Sequence, residues 1–200
     1  MHVYSISIFK VEPGQNAILL NIVYDVSSFS FWYRNEVRGV LLFVSRETAG
    51  RTSVGERVSM EHAQKVCHTT VGSNGLSAAV TTDSEYPSRV AHNLVRMVME
   101  KFQIAHQEAK WKSVQKDTEF PLPELEGILL KYQNPQEADP MLNLQKNLEE
   151  TMGIVKKTVE QLGQRGERLE DIAAKSNDLN FQSKAFMQNS ERLNKCCSYM

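Results

Sequence analysis

The chain has 200 residues, 41% of them hydrophobic, enough for one compact domain of roughly 100 to 150 residues but not for a second full core. A formal charge of -1 argues against a global electrostatic footprint for nucleic acid or an acidic bilayer, so partners must be recognised locally. No run approaches the ~18 apolar residues of a membrane span, and the N-terminus lacks the basic start and apolar middle of a signal peptide. The three cysteines, Cys67, Cys196 and Cys197, make no disulfide framework, which predicts a cytosolic, reducing compartment.

The first two thirds of the chain predicts an α+β domain over residues 1–131. Val3 to Phe9 and Ala17 to Val23 are strand-like runs separated by Pro13-Gly14-Gln15-Asn16, the pattern of a hairpin. From about Phe31 to Thr48, Trp32, Val37, Val40, Leu41 and Val44 recur near helical spacing, and Gly50 ends the helix. Arg57 to His62, Val66 to Val71 and Leu76 to Thr81 predict three more antiparallel strands, the last two joined by Gly72-Ser73-Asn74-Gly75. Pro87 suits the first turn of a helix running to about Ala105, with Val90, Leu94, Met97, Val98 and Phe102 on its buried face. A short helix over 124–131 follows Pro121 and Pro123. The order ββαβββα predicts a five-stranded antiparallel sheet with flanking helices.

Nothing in this domain completes a catalytic or metal site. Cys67 with His62 and His68 lacks further ligands or a paired acid, so a core cysteine beside partly exposed histidines is the expectation. There is neither a phosphate-binding glycine loop nor a Rossmann fingerprint, and no cofactor is predicted.

The character changes at Tyr132. Residues 132–140, with Asn134-Pro135 and Asp139-Pro140, read as a polar linker. Beyond Pro140 no proline interrupts the chain, and one long helix over 141–193 is predicted. Alternating steps of three and four give Met141, Leu144, Leu148, Thr151, Val155, Thr158, Leu162, Arg165, Leu169, Ile172, Ser176, Leu179, Ser183, Phe186, Ser190 and Leu193. Of these 16 positions 10 carry Val, Ile, Leu, Met or Phe, against 6 of the other 37, so the stripe is real. At 1.5 Å per residue the helix would reach roughly 80 Å, too long to bury its stripe on one small domain. Small polar residues in the register, and Gly153, Gly163 and Gly166, weaken the isolated helix, so it should order when partner helices supply bulk. Arg165 lies between Leu162 and Leu169, where a buried guanidinium needs acceptors on facing helices.

The tail, residues 194–200, ends Cys197-Ser198-Tyr199-Met200, a C-a-a-X pattern whose terminal Met favours farnesyl on Cys197. One such lipid binds membranes only marginally, so a palmitoyl or second prenyl chain on Cys196 is the expected reinforcement.

The run Val159 to Ile172, with Gln164-Arg165-Gly166 at its centre, followed by Lys175-Ser176 and Gln182-Ser183-Lys184-Ala185-Phe186, resembles the SNARE motif of the synaptobrevin group. In that family the arginine meets three glutamines from partner helices inside a parallel four-helix bundle, which implies Arg165 as the ionic-layer residue and three glutamine-type SNARE helices as partners. The N-terminal element order, with Tyr24 to Phe31, Glu85 to Ala91 and Lys131 to Pro135, is similar to the profilin-like longin domain of a subset of these proteins. Among them the chain resembles the doubly lipidated type without a membrane span, although Tyr199 stands where that family has an aliphatic residue. The resemblance implies vesicle fusion in ER–Golgi, Golgi, endosomal or vacuolar transport, residence in the cytosol and on the cytosolic face of Golgi, vesicle and endosomal membranes, and a longin domain that folds back on the SNARE segment and shelters the lipid. Phe43 matches a groove residue of the family, with Val40 and Leu41 beside it. The competing expectation is a prenylated trafficking adaptor whose coiled coil only oligomerises.

Overall fold

The computed structural model describes residues 1–62, 64–138, 153–158 and 169–187. Met141, Leu144, Leu148, Leu162, Arg165, Leu193, Cys196 and Cys197 lie outside the described residues.

Strands β1 (Val3–Lys10) and β2 (Ile18–Tyr24) form the expected hairpin, and β3 (Arg57–His62), β4 (Lys65–Val71) and β5 (Leu76–Asp83) a meander. β1 sits between β2 and β5, so five strands run β2-β1-β5-β4-β3 with antiparallel neighbours. Alternation then sorts side chains by face. Ile6, Ile8, Ala78 and Val80 join one core cluster, while Phe9, Met60, Cys67 and Ala79 join another.

The first face is sealed by α2 (Ser88–Ala105), α3 (Glu108–Lys112) and α4 (Glu124–Lys131). Pro87 is the N-cap of α2, and α4 matches its sequence prediction. Leu94, Phe102, Trp111 and Leu125 are all fully buried there. The opposite face carries a 3-10 turn, Phe31–Tyr33, followed by α1 (Arg34–Gly50), whose Val37, Leu41, Phe43 and Val44 are buried.

Three sequence expectations need correction. His68 is not partly exposed but fully buried, because β4 turns it toward α2 while its neighbour Cys67 faces α1. Its Nδ1 lies 2.9 Å from Ser59 Oγ, its Nε2 lies 3.2 Å from Thr82 Oγ1, and Ser59 also meets His92 Nε2 at 3.0 Å. Burial, reinforced by His92, pushes His68 down to about 3. Burial and the Arg57 charge push His92 down to about 4. Second, the domain does not stop at Lys131. Tyr132 is buried and its carbonyl accepts a 2.9 Å hydrogen bond from the Tyr86 hydroxyl, while the Gln133 amide pairs with the Val3 backbone at 2.8 and 3.0 Å. A short helix, α5 (Pro135–Ala138), follows inside the presumed linker.

The third correction concerns the long helix. Ile154–Thr158 forms a strand, β6, parallel to β3 in register Arg57↔Ile154 to Glu61↔Thr158, so among the described residues the sheet has six strands and is mixed. Gly153 at φ +97° takes a backbone conformation that closes off a helix, and the β-branched Ile154-Val155 pair suits an extended edge. β6 satisfies the otherwise open edge of β3. Val155, predicted in a helical stripe, is therefore a strand residue, 40% exposed. Helix returns in α6 (Leu169–Lys175) and over residues 181–187.

Candidate functional site

The second sheet face is where the domain and the heptad segment meet. The α1 helix leaves part of its own surface and of Met60 and Cys67 uncovered, and residues 172–187 lie over it. Ala173, Leu179 and Met187 are buried in one cluster with Phe9, Phe43, Met60 and Cys67, and Ile172 and Val40 pack at its border. Phe186 packs against Val37 and Leu41, with its ring 5.7 Å from that of Tyr33. Burying Leu179 and Met187 contributes about 3–6 kcal/mol before the cost of ordering the segment.

Close approach here depends on Gly39. A Cβ at that position would stand 3.0 Å from Ser183 Oγ and 3.4 Å from the Asp178 carbonyl, so the segment can lie flat on α1 because no side chain intervenes. Ser183 is buried beneath it, its backbone N–H held 2.7 Å from Asn180 Oδ1.

At the C-terminal end of α1, Arg46 ties three parts of the chain together. Its guanidinium donates to Asp117 at 2.7 and 3.0 Å and to the Ala17 carbonyl at 2.6 Å, and its Nε makes a 2.7 Å ion pair with Asp178. Burial raises the Asp178 carboxyl above its ordinary value, an effect Arg46 only partly offsets. Burial also acts on Asp117, but Arg46 and the Leu19 N–H outweigh it and leave that carboxyl below its ordinary value. The β6 edge has a lesser tie, Lys157 Nζ to Glu56 at 3.0 Å, which lowers the Glu56 carboxyl.

Between α1, the sheet edge and the heptad segment a cavity of ≈ 220 Å³ remains, lined by Phe29, Val37, Val40, Leu41, Cys67 and Phe186 among others. It is mostly apolar. Burial pushes the Cys67 thiol up, which makes it an inert wall rather than a nucleophile.

This pairing of an α+β domain with a heptad segment folded onto it has relatives. The regulated-SNARE-like longin domain model matches residues 26–125, and the synaptobrevin model matches residues 140–199. A Dictyostelium discoideum protein described as a synaptobrevin homolog, YKT6, is 65% identical with both chains covered in full. The synaptobrevin homolog YKT6 of Eremothecium gossypii is 37% identical over the full length of both, and that of Schizosaccharomyces pombe is 36% identical over 98% of each. The chain belongs to the longin-domain R-SNAREs of the synaptobrevin family. It is thus a vesicle SNARE of membrane trafficking, working with other SNARE proteins, and not an enzyme. No helix among the described residues is long and apolar enough to cross a membrane.

For an R-SNARE the use made of the heptad register is informative. Of the stripe, Leu179 is buried on the longin domain, Ile172 and Phe186 are half-buried there, and Val155 is on β6. Leu169 begins α6. The groove residues separate: Phe43 is fully buried under the segment, Leu41 is buried at the cavity wall, and Val40 is half-buried. Met187 and Ala173, which the heptad register leaves out, are as deeply buried as Leu179. Their signal in the sequence is an apolar residue out of register. Arg46, Asp117, Asp178 and Gly39 carried no such signal, because only folding brings these distant positions together.

Proposed function

We propose that this structure is the closed, assembly-incompetent form of the R-SNARE, in which the longin domain occupies the surfaces the SNARE segment needs for zippering. Supporting it, Leu179 and Phe186 are core positions of the heptad register and at the same time contact residues of the α1 face. A side chain cannot fill both places. Assembly then requires residues 154–158 and 169–187 to leave the domain and the heptad segment to form one helix that joins three glutamine-type SNARE helices, with Arg165 as the ionic-layer residue facing three glutamines that satisfy its donors without added buried charge.

The same reading gives the tail its role. Farnesyl on Cys197 and palmitoyl or a second prenyl group on Cys196 anchor the protein to the cytosolic face of Golgi, vesicle and endosomal membranes, and the cytosolic pool is the closed form. The apolar cavity beside Phe186 is the shelter for a prenyl chain in that pool, since each sheltered CH₂ is worth about 0.8 kcal/mol.

Phe43→Glu tests this in the lipidated chain. The buried carboxylate expels the segment, so the account expects a larger radius in scattering, a larger membrane fraction, and faster gain of helicity on mixing with glutamine-type SNARE helices. Arg165→Leu in the same mixture is expected to weaken the bundle without opening the closed form. A Phe43→Glu chain that stays compact and assembles at the wild-type rate contradicts the closed-form reading; a bundle indifferent to Arg165→Leu favours the adaptor.

A further inference from the structure

The 3-10 turn ahead of α1 places three aromatic residues in water. Phe31, Trp32 and Tyr33 are 74%, 81% and 54% exposed, and no residue of the turn is buried. Single exposed apolar side chains are ordinary, but three large adjacent ones mark a contact surface. The turn is stiff. The Phe31 and Trp32 rings stand edge to face with centroids 5.9 Å apart. The Arg34 guanidinium lies 6.0 Å from the Phe31 ring and donates to the carbonyls of Phe29 at 3.1 Å and Ser27 at 3.2 Å. Arg38, one turn further along α1, is exposed, and the one acid between them, Glu36, is half-buried.

The position of the turn says what it faces. Tyr33 contacts Phe186, one residue before the last described position, and Cys197 follows ten residues after Met187. Even fully extended, that stretch keeps Cys197 within about 35 Å of Met187. Once the tail's lipid leaves its cavity for a bilayer while the segment stays docked, the tether keeps this corner of the domain within that reach of the membrane. Trp and Tyr with neighbouring arginines are the side chains favoured at the bilayer–water interface.

We infer that Phe31, Trp32 and Tyr33, flanked by Arg34 and Arg38, form a second, non-covalent membrane contact, an aromatic wedge that seats in the headgroup region of an anionic bilayer beside the lipidated tail. The orientation rests on the lipid-anchor reading; the wedge itself does not. Because Trp32 is already exposed in the closed form, the contact needs no prior release of the SNARE segment. It supplies a second signal to a protein whose single prenyl chain would hold only marginally.

The chain has two tryptophans, and Trp111 is fully buried, so a quencher carried by lipid reports on Trp32. The experiment titrates the full-length chain, unlipidated and farnesylated, with vesicles of equal phosphatidylcholine and phosphatidylserine bearing brominated acyl chains. Quenching and a blue shift are expected in both arms, at higher lipid for the unlipidated chain, weakening at high salt and disappearing in Trp32→Ala. Phe31→Ser should lower partitioning roughly tenfold while leaving circular dichroism unchanged. Farnesylated chain that binds vesicles with Trp32 unquenched overturns the wedge, as does a blue shift that grows with protein concentration in the absence of vesicles, which would make the turn a self-association surface. Absence of a farnesyl mass gain on incubation with farnesyltransferase would refute the anchor alone, and the unlipidated arm would still decide the wedge.

Discussion

The two faces of one sheet are covered by different kinds of partner. On the α2 side the cover comes from α2, α3, α4 and the segments that join them, including Tyr86 and Leu122, and Phe102, Trp111 and Leu94 are sealed with full burial. On the α1 side the cover is completed by Ala173, Leu179 and Met187 from a segment whose heptad register suits it to a helical bundle. The first core is permanent. On the proposed closed-form reading the second is on loan, and the fold would hold a fusion motif without committing it.

Substitutions on the two faces should therefore separate, and the largest effect belongs to the permanent core. Phe102→Ala is expected to cost about 3–5 kcal/mol of global stability. Leu179→Ala removes a comparable contact, about 2–5 kcal/mol, yet the loss should fall on closure only. Chemical denaturation followed at Trp111 should move strongly for the first variant and little for the second, while amide exchange over residues 172–187 should accelerate in the second. Equal shifts of the global midpoint would mean the two faces are one cooperative core.

Acid sharpens the contrast next, because the buried histidines belong to the permanent side. His68 and His92 have folded values near 3 and 4 against an ordinary 6.5. Depressed values mean that the unfolded chain binds more protons, so their contribution is intact above about 6.5 and is lost as pH falls toward 4, at up to about 1.4 kcal/mol per pH unit for each. Denaturation midpoints across that window should fall in the wild type and fall less in His92→Phe. A flat profile would show that the pair is already neutralised in some other way.

The Arg46 clasp gives a smaller effect on the loaned side. Arg46→Gln strips the ion pairs to Asp117 and Asp178 and leaves the half-buried Asp178 without that partner, which should weaken closure by about 1–3 kcal/mol. The signs of the two aspartates oppose each other. Asp178, raised in the closed form, burdens closure when ionised, and that burden lifts as pH falls into and just above the carboxylate range. Asp117, lowered, contributes above its ordinary value and loses that contribution as pH falls. Exchange rates over residues 172–187 in the variant, compared with wild type at neutral pH, measure the net effect; no change would make the clasp ornamental to closure.

Much of the permanent side was legible from sequence because its signals are local. Pro87 starts α2, and two prolines precede α4. The five-residue α3 was not legible, since it is too short to show a period, although it buries Trp111 completely. The loaned side was legible in its register but not in its present conformation. Val155 satisfies both a heptad and an edge strand, and Gly153 selects the strand through a backbone angle that composition does not reveal. Phe43 could be named by resemblance, whereas Arg46 and Asp178 lie 132 positions apart and meet only in the fold.

Gly39 and Ser183 offer the most direct test of closure. An ideal Cβ at Gly39 lies 3.6 Å from Ser183 Cβ, within the span of a disulfide. In a Gly39→Cys/Ser183→Cys chain with Cys67, Cys196 and Cys197 replaced by Ser, oxidation should fasten the segment to α1. Mixed with glutamine-type SNARE helices, the oxidised chain is predicted to remain outside the bundle and the reduced chain to enter it. Equal assembly by both would contradict the claim that the longin domain and the bundle compete for the same residues.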